Sequence, residues 1–306
     1  MSGSPIESAD QAASARSVCY RHPDRETYIR CGRCDRLICP DCMTSASVGF
    51  QCPECVKEGR ATVRTPRTGF GASAEARRPV VTETLVALCV AGYALQIVIP
   101  TFTARFELSG LRIANGEWWR LFTGGFLHGG LMHLAFNMWA LLIVGRQLEP
   151  QLGRVRFGLL YAVSLLAGST VSYCFSPAVY LGVGASGAIF GLFGGLIVVA
   201  RRMNWQLNAL IGLVLINFLV PFVVPNVDWR AHVGGLLAGL ILTTAFAYSP
   251  PGLRIVIPAV VIAGIVVGCV VAVTARSHEI RNDPRYAIVF QLPDIYLPLD
   301  EYRPFP

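Results

Sequence analysis

Gly182-Val183-Gly184-Ala185-Ser186-Gly187-Ala188-Ile189-Phe190-Gly191-Leu192-Phe193-Gly194-Gly195 opens an apolar run that continues to Ala200, where Arg201 and Arg202 close it. Gly187, Gly191 and Gly195 recur every four residues, a spacing that lines small residues along one helix face and lets a neighbouring backbone come close. Polar side chains are costly inside apolar spans, which makes Ser186 a candidate for function. Two other apolar stretches carry polar residues near their starts. One reads His128-Gly129-Gly130-Leu131-Met132-His133-Leu134-Ala135-Phe136-Asn137, and the other Arg230-Ala231-His232-Val233-Gly234-Gly235, with Gly239 four residues further on.

Around these stretches the chain is segregated. Of its 306 residues 53% are hydrophobic and 15% charged, whereas soluble domains carry about 25% charged residues. The segment up to 78 holds many of the charges and seven of the ten cysteines, while 79–275 is almost continuously apolar. Apolar runs near the ~20 residues needed to cross a bilayer fall at roughly 80–100, 124–146, 155–174, 182–200, 206–224, 230–248 and 254–275. The expected fold class is an all-α polytopic membrane protein preceded by a small domain in water. The break 101–123, with Arg105, Glu107, Arg112, Glu117, Trp118, Trp119 and Arg120, reads as a structured loop with aromatic anchors at the interface.

Residues 1–18 lack the apolar core of a secretory signal, so the N-terminus is expected in the cytosol. Arginines then alternate as the positive-inside rule requires: Arg146, Arg154 and Arg156, then Arg201 and Arg202, then Arg254 fall in loops on the cytosolic side. The intervening loop 175–181 has none and 225–229 holds only Asp228; the long first external loop, with three arginines, is the exception. The net charge of +7, with Arg60, Arg64, Arg67, Arg77 and Arg78 just ahead of the first span, is thereby assigned to the lipid surface and not to nucleic acid. Lys57 is the sole lysine among 26 basic residues, a GC-rich coding signature that points to a bacterial cytoplasmic membrane.

The aqueous segment contains Cys19-x2-His22, Cys31-x2-Cys34, Cys39-x2-Cys42 and Cys52-x2-Cys55. In a reducing cytosol such pairs are metal ligands and not disulfides. Thiolates and imidazole suit zinc, a two-residue gap brings both members of a pair to one ion, and eight ligands fill two closed tetrahedral sites. Closed sites leave no position for a reacting water, so both ions are expected to be structural, with a docking or regulatory role toward a cytosolic protein partner. The segment resembles a B-box-type cross-brace finger. That resemblance implies that the first and third pairs share one ion and the second and fourth the other; spacing alone leaves sequential pairing open.

In the membrane, the charge-derived topology brings the second, fourth and sixth spans in from the external side. Ser186 is then about four residues into its helix, His232 about two and His133 about nine, all within the outer half of the bilayer at about 1.5 Å per residue. A serine needs a base for its proton, and His232 would serve Ser186. His133 and Asn137 share a helix face at i, i+4 and offer donors to a developing oxyanion. Asp228, four residues before His232, reads as an interfacial loop acid and is not counted as a third member. His128 reads as a loop brace.

Gly184-x-Ser186-Gly187, His128-x4-His133-x3-Asn137, Ala231-His232-x2-Gly235-x3-Gly239 and Glu117-Trp118-Trp119-Arg120 together resemble the signatures of the rhomboid intramembrane proteases. The resemblance implies a six-helix core with a Ser–His dyad: Ser186 as nucleophile, His232 as base, His133 and Asn137 as oxyanion donors. The last span becomes an appended helix, and no cofactor enters the chemistry. Phe190 stands where some family members carry a tyrosine stacked on the catalytic histidine. The expected organisation is an unstructured 1–18, a zinc module at 19–56, a basic linker at 57–79, the core at 80–250, an additional span at 251–275 and a polar tail at 276–306. The expected function is cleavage of transmembrane segments of other membrane proteins through an acyl-enzyme. A catalytically silent adaptor that recruits a partner through the zinc module is the alternative, and the intact dyad argues against it.

Overall fold

The structure, a computed structural model, describes residues 17–62, 68–70, 78–206, 212, 214, 215, 227–287 and 290. The chain divides into two compact units, 1–66 and 67–306.

In the first unit β1 (Val18–Cys19) pairs antiparallel with β2 (His22–Glu26), β3 (Thr44–Ser45) pairs antiparallel with β4 (Phe50–Gln51), and α1 (Pro53–Thr62) follows. Its interior is mostly sulfur: Ile38 is buried among Cys19, Cys31, Cys39, Cys42, Cys52 and Cys55. So small an apolar core cannot hold a fold of this length by itself. The expected linker at 57–79 begins differently from the sequence reading, because α1 continues through Thr62. Pro53 at its first turn supplies a preset φ there and gives up no needed hydrogen bond.

The second unit contains α2 (Val80–Val98), α3 (Phe102–Phe106), β5 (Leu108–Ser109), α4 (Gly110–Ala114), α5 (Arg120–Thr123), α6 (Leu131–Leu152), α7 (Arg154–Phe175), β6 (Leu181–Gly182), α8 (Ser186–Arg202), α9 (Trp229–Tyr248) and α10 (Val256–Asn282). Of these α2, α6, α7, α9 and α10 are long and apolar enough to cross a membrane. The 17 residues of α8 reach about 26 Å. It is the central helix, packed by α6, α7 and α9, and all but four of its residues are buried. The expected span at 206–224 falls almost wholly outside the described residues.

Close packing of α9 on α8 depends on glycine. A methyl group on Gly235 would lie 1.8 Å from the Gly187 carbonyl oxygen, and one on Gly239 2.0 Å from that of Gly191. The two helices therefore meet backbone to backbone, and short side chains reach across. Both ends of the bundle also carry caps. Asp228 accepts from the N–H groups of Arg230 and Ala231 at the start of α9. Glu149, fully buried in α6, accepts from the Val81 and Thr82 N–H groups and the Thr82 hydroxyl, 2.7–3.0 Å away, at the start of α2.

Two further sequence expectations shift at the ends of elements. The second span begins at Leu131 and not at 124, because the glycine-rich 124–130 turns through a short 3-10 segment at Gly124–Phe126. The loop 101–123 is structured as expected, and β5 within it pairs with β6, Leu108 opposite Gly182. The last helix runs to Asn282, so the tail assigned from 276 is helical at its start. Its final turns are polar yet held: Val273, Ser277 and Ile280 are buried, Ser277 hydrogen-bonds Tyr173 at 2.8 Å, and Arg276 donates to the Ser176 carbonyl at 3.3 Å. Residues 291–306 lie outside the described residues.

Candidate active site and metal centres

Ser186 is the first residue of α8, His232 the fourth of α9 and His133 the third of α6. All three occupy the opening turn of their helices, so they are level with one another more closely than the sequence depths of about four, two and nine residues implied. The Ser186 Oγ lies 2.9 Å from His232 Nε2. Phe190, one turn below Ser186 on α8, lies flat against the His232 ring, with centroids 4.1 Å apart and planes 5° from parallel. One helix thus supplies both the hydroxyl and the plate that orients the imidazole.

With Nε2 accepting from the serine, the ring's hydrogen sits on Nδ1, which is buried and has no hydrogen-bond partner among the described residues. Asp228 does not reach it. Its carboxylate caps α9 and accepts from the Ser172 hydroxyl. The geometry is that of a pair: Phe190 covers the ring face, and no carboxylate meets Nδ1 among the described residues.

His133 lies on the other side of the serine. Its Nδ1 accepts from the Gly129 N–H at 3.3 Å, which leaves the ring hydrogen on Nε2. That nitrogen overlies Gly184: a methyl group there would fall 3.0 Å from Nε2 and 3.8 Å from the Ser186 Oγ. With φ at +134°, position 184 demands glycine for its backbone as well as for space. An N–H donor therefore faces the region above the serine, and the first-turn N–H groups of α8, which have no partner within the helix, start at Ser186 itself. Asn137 is placed differently. It is buried, its Nδ2 donates to the His133 carbonyl at 2.9 Å, and it does not line the pocket. Its observed contact steadies the helix turn that carries His133.

A cavity of about 420 Å³ opens beside the pair, bounded by Ser186, His133, Gly184, Ser172, Tyr180 and Asp228. Leu108 of β5 and Gly124, Gly125 and Gly129 ahead of α6 line another part of it. Arg120 is 1% exposed and donates to Glu117 at 2.6 Å and to the carbonyls of Ala104 and Glu107 at 3.0 and 2.9 Å. His128 is buried with both ring nitrogens unpartnered among the described residues, its ring edge-on to His133 at 5.3 Å. Sequence reasoning passed over Ser169, Ser172 and Tyr180. The run Ser169-Thr170-Val171-Ser172 inside an apolar span was the signal available.

A model of the Rhomboid domain matches residues 115–249, which hold the pair, His133 and most of the cavity wall. Putative rhomboid protease YdcA of Bacillus subtilis (strain 168) is 40% identical over 138 residues, covering 44% of this chain and 69% of that protein. The chain belongs to the rhomboid family. Rhomboid protease GluP of the same organism is 42% identical over 145 residues, 46% of this chain and 28% of that protein. RHOMBOID-like protein 5 of Arabidopsis thaliana is 40% identical over 162 residues, 50% of this chain and 52% of that one. The chain thus spans about a quarter of GluP and half of the Arabidopsis relative. Within the rhomboid core, Trp118 and Trp119 of the Glu117–Arg120 signature are exposed at the surface while Arg120 is the buried strut of the loop.

The first unit, outside the matched rhomboid span, gathers its ligand atoms into two clusters. Cys19, His22, Cys39 and Cys42 form one and Cys31, Cys34, Cys52 and Cys55 the other, the atoms of each lying within 4.8 Å of one another. First pair joins third and second joins fourth. Burial opposes ionisation of Cys19, but N–H groups of Arg21, Cys39 and His22 outweigh it and draw the thiol down to about 6. Burial is likewise outweighed at Cys31 by N–H groups of Cys52, Arg33 and Cys34, again to about 6. Arg36 donates to the Cys34 sulfur at 3.2 Å and stacks over Tyr20. Four soft donors converging at this distance fit a tetrahedral metal ion.

Proposed function

We propose that this rhomboid-family chain is an intramembrane serine endopeptidase that cleaves transmembrane segments of other membrane proteins. The observation that carries the proposal is the 2.9 Å contact between Ser186 Oγ and His232 Nε2, with Ser186 and His133 both lining one cavity. His232 takes the serine proton as Oγ attacks the scissile carbonyl, forming a tetrahedral intermediate. The His133 Nε2–H and the Ser186 backbone N–H stabilise its oxyanion, and the protonated His232 then gives its proton to the leaving amine. Water, deprotonated by His232, hydrolyses the acyl-enzyme. Asn137 contributes by holding the His133 turn and stands second to His133 as an oxyanion donor. A substrate helix that unwinds readily suits this site, because an intact helix hides its carbonyls in backbone hydrogen bonds.

The eight ligands are assigned to two structural zinc ions, which supply folding free energy to a unit with little other core. The N-terminal module faces the cytosol of a bacterial cell in this reading and engages a protein partner there. The experiment that tests the proposal is cleavage of a labelled single-span substrate by purified protein in lipid vesicles. Ser186→Ala and His232→Ala each abolish cleavage, and His133→Ala lowers kcat by about a hundredfold or more. Cleavage by the Ser186→Ala protein at the wild-type rate refutes the assignment.

A further inference from the structure

The cavity extends past Ser186 and His133 to a polar end formed by Ser169, Ser172, Tyr180 and Asp228, and the proposed dyad chemistry uses none of these four. Their hydrogens are committed in one direction. Oδ1 of Asp228 accepts from the Arg230 and Ala231 N–H groups at 3.0 and 3.3 Å. Oδ2 accepts from the Ser172 hydroxyl, and the Tyr180 hydroxyl lies beside the same carboxylate. Two backbone amides fix the acid in place. Ser172 is fully buried and spends its hydrogen on Asp228. The polar end therefore presents acceptors around a fixed negative charge, a few residues along the chain from the proposed base.

We propose that this end of the cavity is a selectivity site for a substrate side chain flanking the scissile bond, in which Asp228, Ser172 and Tyr180 admit donor-bearing neutral or cationic side chains and exclude acidic ones. The inference rests on the proteolytic reading above. A carboxylate entering the site meets a like charge, whereas an amide, hydroxyl or ammonium finds an acceptor already oriented by the Arg230 and Ala231 N–H groups and the Ser172 hydroxyl. Juxtaposed like charges cost several kcal/mol, which corresponds to rejection by about a hundredfold or more.

The test uses the full chain in phosphatidylcholine vesicles with a single-span substrate whose cleavage point has been mapped. Each residue flanking that point is replaced in turn by Ala, Asn, Lys and Asp, and kcat/KM is measured. At one of the two positions the Asp substrate is expected to be at least about a hundredfold slower than the Asn substrate. Asp228→Asn narrows that ratio about tenfold or more, because the charge is gone while an amide oxygen still caps α9. Ser172→Ala widens it, because Oδ2 loses its donor. If Asp228→Asn fails to accumulate as folded protein, the direction of the Ser172→Ala change decides. Asp and Asn substrates cleaved within threefold at both positions, or a ratio that neither variant moves, overturns the inference. Labelling of Ser186 by a small fluorophosphonate in the same vesicles separates the two failures. Labelling without selectivity sinks this inference alone, and neither labelling nor cleavage sinks the proteolytic reading with it.

Discussion

Glu107 lies just ahead of β5, buried to 7% exposure, with its backbone carbonyl on Arg120. Burial pushes its carboxyl from 4.5 to about 7, against the pull of Arg120 and Arg112. The folded chain therefore keeps a proton that the unfolded chain has released between these two values. Stability contributed at this residue is complete below pH 4.5, falls as pH rises, and is lost above about 7. Thermal unfolding in detergent at pH 5 and pH 8 is expected to show a lower midpoint at pH 8, with the difference reduced in Glu107→Gln. Equal differences in the two proteins would exclude Glu107 as the cause. At this scale the sequence was informative about chemistry and poor about direction. Ser186, His232 and His133 announce themselves as polar groups in apolar runs. That Asn137 turns toward a carbonyl of its own helix, and that Ser172 and Asp228 pair across 56 positions, depends on how three helices are rotated, which no local spacing encodes.

Among the elements, glycines of identical type differ sharply in what surrounds them. Gly235 and Gly239 have another backbone within 2.0 Å of where a methyl group would sit, whereas Gly264 and Gly268 on α10 have nothing within 4 Å. Gly239→Ala is expected to destabilise the core by about 1–3 kcal/mol, since the clash is with backbone that cannot rotate away. Gly268→Ala should be neutral or stabilising by up to about 1 kcal/mol through helix propensity. Equilibrium unfolding in mixed detergent distinguishes them, and equal effects would contradict the packing described. The four-residue interval at Gly187, Gly191, Gly235 and Gly239 marks the α8–α9 seam, because small residues at that spacing let the two backbones approach. It says nothing about which glycine pairs are occupied, and the same interval at Gly264 and Gly268 faces open space. Element ends were read least well. Glycines at 124–130 delay α6, and burial of Val273, Ser277 and Ile280 prolongs α10 through residues whose polarity suggests a tail.

For the molecule as a whole, the boundary between a segment rich in cysteine and charge and an apolar remainder was plain in composition, and each part has a different source of stability. Removal of metal with a strong chelator is expected to abolish the ordered structure of residues 17–62 while the membrane core still cleaves a single-span substrate at its previous rate. Circular dichroism of the chelated protein beside a cleavage assay checks both halves. Loss of cleavage that returns on adding zinc would show that the units are coupled.

On the proteolytic reading proposed above, the opening-turn positions of Ser186, His232 and His133 would make bilayer thickness a control on the chemistry. The 17 residues of α8 reach about 26 Å against a hydrocarbon core of about 30 Å, so a group on its first turn is sensitive to where hydrocarbon gives way to water. Each two-carbon increment in lipid acyl length moves that boundary outward by an amount comparable to one helical residue, and the helices accommodate mismatch only by tilting or by distorting the bilayer. Turnover should therefore pass through a maximum as vesicles are made from lipids of increasing chain length, declining in thick bilayers as water is withdrawn from the acyl-enzyme. A rate independent of chain length would show that the core carries its own aqueous boundary. On the thickness account, the lipid a cell places around this protein is one of its reactants' gatekeepers.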